Sequence, residues 1–152
     1  MDMFKTIYEL GIIPVVAIDD ADKAVPLAKA LRDGGLPAAE ITFRTAASEE
    51  SIRRIVAECP DVLVGAGTVL TKEQADRAVA AGAKFIVTPG FNPEMIAYIK
   101  SLGIPMMPGA ATPGEMEQAM SMGLTNIKFF PAEAAGGLKM LKAMAAPYGQ
   151  LT

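Results

Sequence analysis

Apolar positions along this chain follow two alternating rhythms. Short apolar runs at Ile12 to Ile18, Ala39 to Phe43, Leu63 to Val64, Phe85 to Val87, Met106 to Met107 and Asn126 to Phe129 read as strands. Between them, apolar residues mostly recur at three- and four-residue spacing over Asp22 to Arg32, Glu49 to Glu58, Lys72 to Ala80, Pro93 to Ser101, Pro113 to Met122 and Leu138 to Ala145, which predicts amphipathic helices. Boundary residues agree with these limits. Ser48, Thr71, Asn92 and Thr112 suit N-caps, with Pro93 and Pro113 at first helical positions. Gly34, Gly82, Gly103 and Gly123 suit left-handed C-terminal caps.

Strand-plus-helix units that repeat in this way form parallel strands joined by right-handed helical crossovers. An open doubly wound sheet would carry a Gly-x-Gly-x-x-Gly turn after its first strand, and Ile18-Asp19-Asp20-Ala21 offers none. The expected fold is therefore an α/β barrel of TIM (β/α)8 type, with about six of eight units in a single domain over residues 1–152. Six units leave two strand edges unpaired, so the pattern predicts an incomplete barrel, or edges met by another copy of the chain.

Two local departures from the apolar pattern carry chemistry. Lys128 interrupts the run Asn126-Ile127-Lys128-Phe129-Phe130-Pro131, where a buried strand ordinarily holds no charge. Desolvation disfavours an ammonium, and an enclosed lysine offers a neutral amine that attacks carbonyls. In Ala39-Glu40-Ile41-Thr42-Phe43-Arg44, alternation puts Glu40, Thr42 and Arg44 on one strand face. Taken singly, Lys128 also fits an edge strand with its head in water, Glu40 and Arg44 fit a structural ion pair, and Gly65-Ala66-Gly67 fits any barrel strand end. The methionines, Met106, Met107, Met116, Met120 and Met122 among them, fit core filling.

Composition narrows the field. The 152 residues carry 14 basic and 17 acidic side chains, with no block of like charge, so no nucleic-acid or membrane-surface partner is expected. Residues Met1 to Leu10 mix polar and apolar positions without a leader pattern, and the expected setting is cytoplasmic. With a lone cysteine, Cys59, no intramolecular disulfide forms. Histidine is absent, which removes the usual general base near neutrality, and no tight acidic cluster suggests a metal. No metal and no cofactor are expected.

Three segments occur together and in order: Glu40-Ile41-Thr42-Phe43-Arg44-Thr45, Val64-Gly65-Ala66-Gly67-Thr68-Val69 and Ile127-Lys128-Phe129-Phe130-Pro131-Ala132-Glu133. From about Ile13 to the last residue the chain thereby resembles the 2-keto-3-deoxy-6-phosphogluconate (KDPG) aldolases, which also act on 4-hydroxy-2-oxoglutarate. The resemblance implies a metal-independent class I lyase of the Entner-Doudoroff type, often trimeric. It implies that Lys128 forms the Schiff base with pyruvate or the keto acid and that Glu40 moves protons through a bound water. Arg44 with Thr68 would hold the keto-acid carboxylate, and Pro89 and Phe130 would line the pocket. Physical reasons accompany these roles: an iminium accepts the electrons of the breaking bond, a screened carboxylate both gives and takes protons, and a guanidinium fork matches a carboxylate. The family's phosphate-binding loops follow its last two strands, which these six units do not include. Two other readings compete: a catalytically silent, self-assembling barrel fragment, and another sugar-phosphate barrel enzyme such as an epimerase.

Overall fold

The computed structural model describes residues 3–152; Met1 and Asp2, the first residues of the expected 1–152 domain, lie outside it. Among the described residues six strands form one parallel sheet: β1 (Val15–Val16), β2 (Ala38–Thr42), β3 (Leu63–Gly67), β4 (Ile86–Thr88), β5 (Met106–Ala110) and β6 (Lys128–Phe129). Spatial order equals chain order, β1 to β6. No reversal interrupts it, so every crossover winds the same way and the sheet curls as a TIM-type barrel does, rather than lying open and doubly wound. The helices are α1 (Met3–Leu10), α2 (Ala24–Asp33), α3 (Ser48–Glu58), α4 (Lys72–Ala80), α5 (Pro93–Ser101), α6 (Pro113–Ser121) and α7 (Gly137–Ala145).

Alternation along the strands divides the chain between two environments. Ile41, Val64, Ala66 and Ile86 turn outward and join Ile52, Ile55, Ile96 and Ile99 of the helices in the main core, each essentially inaccessible to water. Glu40, Thr42, Gly65, Gly67 and Val87 take the opposite, inward face, and the buried ring of Phe85 packs over Gly65. The outward face is apolar except for Thr88, whose hydroxyl donates to Gly90 O, and the inward face carries Glu40.

Several boundaries differ from the sequence reading, each for a local reason. The first strand shrinks from Ile12 to Ile18 to two residues, because Pro14 has no N–H and contributes only its carbonyl, which accepts from Glu40 N at 2.8 Å. The last strand starts at Lys128 and not Asn126: Ile127 N donates to Thr152 O and Thr152 N donates to Thr125 O, so the residues before Lys128 pair on their other side with the segment at Thr152. That edge is thus partly occupied where the sequence suggested an unpaired strand. In contrast β3 and β5 extend through Gly67 and Ala110, since pairing with Thr42 of β2 and Phe129 of β6 holds these small residues of low strand propensity in the sheet.

Caps follow the same logic. Thr71, Asn92 and Thr112 cap α4, α5 and α6, the last as a full capping box with Glu115. Ser48 is instead inside α3, with its hydroxyl donating to Thr42 O at 2.6 Å and Thr45 O at 2.8 Å. Gly82, Gly103 and Gly123 are left-handed as expected, but after α2 the left-handed residue is Gly35 (φ 86°) and not Gly34. Helix α1 was not apparent in the pattern: its apolar residues recur over too few turns to stand out, and none of its side chains is buried. No helix among the described residues is long and apolar enough to cross a membrane.

Candidate active site

The inward faces of β2 and β6 meet across the curl of the sheet. Lys128 opens β6, paired in register with Gly109 of β5, and its Nζ lies 3.4 Å from Glu40 Oε1. The lysine side chain is 29% exposed and the glutamate 7%, so a nearly buried carboxylate faces an amine that retains access to solvent. Among the described residues Lys128 is the ion-pair partner of Glu40; Arg44 does not fill that place. The Phe130 ring lies 5.3 Å from the same Nζ, adding an aromatic face to the ammonium's surroundings.

Glu40 reaches Lys128 because β3 presents bare backbone beside it. Thr42 pairs with Gly67, and a Cβ built on Gly67 would lie 2.0 Å from Glu40 Oε1 and 2.6 Å from Cδ and Cγ. A Cβ on Gly65 would lie 2.3 Å from the Phe85 ring, and one on Gly109 would lie 2.1 Å from Pro89 O. Of these three absent side chains, it is the one at Gly67 whose space the Glu40 carboxylate occupies. The Gly-x-Gly spacing next to a strand bearing a long acid was visible in the sequence, but its effect on Glu40 was not read from it.

Arg44 and Thr68 form a second pair at the same end of the sheet. Arg44 does not share the strand face with Glu40: β2 ends at Thr42, and Arg44 lies in the exposed turn beyond, its Nε donating to Thr68 Oγ1 at 3.2 Å. Thr68 follows Gly67 with φ 55°, a left-handed conformation unusual for a β-branched residue. Thr42, on the same strand face as Glu40, donates its hydroxyl to Val16 O at 3.0 Å and ties β2 to β1. The turn carrying Arg44 is fixed by Thr45, whose hydroxyl donates to Ile18 O at 2.5 Å.

Pro89 follows β4 on the same rim. Its carbonyl lies against Gly109, the register partner of Lys128, and the residue borders a hollow of about 250 Å³ with Val69, Leu70, Thr88, Phe91 and Met95. Of the six residues singled out in the sequence, Arg44, Thr68, Pro89 and Phe130 lie just beyond the C-terminal ends of strands, where barrel enzymes do their chemistry, whereas Glu40 lies within β2 and Lys128 within β6. Direct contacts join them as two pairs, Lys128 with Glu40 and Arg44 with Thr68, with Gly67 as the link between them. Among the described residues, no three His, Cys, Asp or Glu side chains gather as a metal-binding group.

Comparison with known proteins agrees with this geometry. Residues 4–152 match the aldolase family described as KDPG and KHG aldolase. A 2-dehydro-3-deoxy-phosphogluconate aldolase of Treponema pallidum is 49% identical over 146 residues, which span 96% of this chain and 70% of that protein. The crystal structure of the Zymomonas mobilis ZM4 2-keto-3-deoxy-6-phosphogluconate aldolase with 3-phosphoglycerate superposes with a TM-score of 0.92 at 38% identity, covering 99% of this chain and 72% of that one. A KDPG aldolase of Legionella pneumophila, captured with pyruvate as a covalent carbinolamine, superposes with a TM-score of 0.89 at 41% identity over 92% of this chain and 68% of that one.

Proposed function

The chain belongs to the KDPG and KHG aldolase family, and on that premise we propose that its Lys128 is the Schiff-base lysine of a class I aldolase and Glu40 its proton carrier. The reaction is the reversible cleavage of 2-keto-3-deoxy-6-phosphogluconate to pyruvate and glyceraldehyde 3-phosphate; the analogous cleavage of 4-hydroxy-2-oxoglutarate gives pyruvate and glyoxylate. The observation that carries the reading is the 3.4 Å approach of Lys128 Nζ to Glu40 Oε1.

Each step follows from the chemistry of these side chains. The unprotonated amine of Lys128 attacks the C2 carbonyl to give a carbinolamine, which loses water to become an iminium. Glu40, directly or through a water, takes the proton of the C4 hydroxyl; the C3–C4 bond breaks, the aldehyde leaves, and the bonding electrons enter the iminium to form an enamine. Glu40 then returns a proton to C3, and hydrolysis of the new iminium releases pyruvate and the free lysine. Arg44 and Thr68 hold the keto-acid carboxylate, the guanidinium by a planar fork and the threonine by its hydroxyl. Pro89 and Phe130 form walls that orient the chain of the substrate.

Incubation with pyruvate and borohydride followed by peptide mapping tests this. A single reduced pyruvate adduct on Lys128 is the expected result; a folded protein that takes no adduct, or takes it on another lysine, overturns the assignment.

The same reading has the barrel as one cytoplasmic domain over residues 1–152 that assembles with copies of itself, a trimer being the form the resemblance implies. Support comes from exposed apolar side chains, Tyr8 at 84% and also Ile12, Leu70 and Leu138, which a second copy would cover. One cooperative unfolding transition and a trimer mass in sedimentation are expected; a strict monomer overturns the assembly.

A further inference from the structure

We infer that Gly67 is a positioning residue for proton transfer: by having no side chain it holds the Glu40 carboxylate at Lys128. The inference rests on the reading of Lys128 and Glu40 as the reacting pair.

Its basis is the contrast among the three glycines of the inward face. A Cβ at Gly65 would meet the ring of Phe85, and one at Gly109 would meet the Pro89 carbonyl and Gly90 N, groups that cannot yield without moving a rigid ring or backbone. The nearest atoms that a Cβ at Gly67 would meet are Oε1, Cδ and Cγ of Glu40 at 2.0 to 2.6 Å, well inside the roughly 3.5–4.0 Å at which carbon atoms rest in contact. Those atoms are the far end of a rotatable side chain. The strain of a methyl group at Gly67 is therefore relieved by a rotation of Glu40, with β2 and β3 kept in place. The same space that holds the carboxylate is the space that the methyl takes, so carboxylate and Cβ are mutually exclusive there.

Displacement has a chemical consequence because proton transfer needs the carboxylate within hydrogen-bond reach of the reacting atoms, whereas the lysine on β6 is untouched. A misplacement of the order of 1 Å is worth roughly 100-fold in rate. Gly67→Ala thus separates the two halves of the site: Lys128 still condenses with pyruvate, while deuteration of the pyruvate methyl group, which requires proton transfer at the enamine carbon, falls roughly 100-fold.

The test is a crystal structure of Gly67→Ala with pyruvate methyl exchange in deuterium oxide for Gly67→Ala, Glu40→Ala and the double variant. We expect Glu40 turned away from Lys128 on unmoved strands. Exchange in Gly67→Ala should fall to about the level of Glu40→Ala, with the borohydride adduct at Lys128 retained after long incubation, and the double variant should be no worse than Glu40→Ala. A Glu40 still beside Lys128 in the Gly67→Ala crystal, exchange at the wild-type rate, or a further tenfold loss in the double variant overturns the inference. If Gly67→Ala does not fold but the double variant does, the collision with Glu40 is established by that rescue; if neither folds, the glycine serves the strand and the inference fails. A wild-type protein that takes no pyruvate adduct sinks the aldolase assignment, while the position of Glu40 in the crystal still decides the role of Gly67.

Discussion

Glu40 and Lys128, 88 residues apart in the chain, meet as a 3.4 Å ion pair between strands that share no hydrogen-bond ladder. With the carboxylate nearly buried and the amine partly open, the two partners respond differently to removal of the other.

Lys128→Ala is expected to lose all pyruvate adduct and reduce KDPG cleavage to background. It also leaves Glu40 without its cation, so the variant should unfold at lower urea, by less than the roughly 3–5 kcal/mol of a fully enclosed pair because Lys128 is 29% exposed. Intact mass after borohydride and a urea titration check both. Cleavage at the wild-type rate would remove Lys128 from the mechanism.

Arg44→Lys keeps a charge but loses the fork, and Arg44 is exposed, so stability should hardly change. The KM for the keto acid should rise roughly 10-fold, the worth of one charge-assisted hydrogen bond, with a smaller change in kcat. Steady-state kinetics with unchanged KM would count against a carboxylate-binding role.

Thr68 spends conformational energy at φ 55°. Thr68→Gly removes a strain of about 1–3 kcal/mol and adds about 0.4–1 kcal/mol of unfolded-state entropy, for a net gain of about 1 kcal/mol. The same variant loses the hydroxyl that accepts from Arg44, so a more stable protein with weaker keto-acid binding is expected. Urea denaturation and KM measured on one preparation test the pairing, and a less stable glycine variant would contradict it.

Acid should weaken a network on the helical side. Arg77 and then Arg53 hydrogen-bond Glu49 and hold its carboxyl below the usual range; the backbone N–H of Ala111, with lesser help from Thr112, does the same for Glu115. A depressed folded value means stability that is full above the unfolded value of about 4.3 and is lost as pH falls through the folded one. Stability between neutrality and pH 3 should therefore decline, and Glu49→Gln together with Glu115→Gln should flatten the decline. An unchanged slope in urea titrations across that range would show that other carboxylates dominate.

Much of this was legible in the chain itself. Helices α4 and α5 run as their caps at Thr71 and Asn92 demand, and the barrel-like winding follows from the alternation of strands and helices. Lys128 stood out because a charge inside an apolar run has few structural uses. What the pattern could not convey was distance across the curl. Alternation assigned Arg44 to the face of Glu40, but β2 stops at Thr42, and the turn sends the guanidinium to Thr68. Likewise Ser48 reads as a cap until Thr42 O and Thr45 O are seen to accept its proton.

The order of the strands also bears on when the protein becomes an enzyme. Every ladder joins consecutive units, so the sheet can be laid down one strand at a time, as a chain growing from the ribosome would allow. The pair of Glu40 with Lys128 breaks that rule by joining the second strand to the sixth. Pulse-labelled hydrogen exchange should find β2 and β3 protected before β6. On the roles proposed for them, proton carrier and nucleophile then belong to opposite ends of the assembly process, and a nascent barrel would hold its acid before the amine that is to react with keto acids.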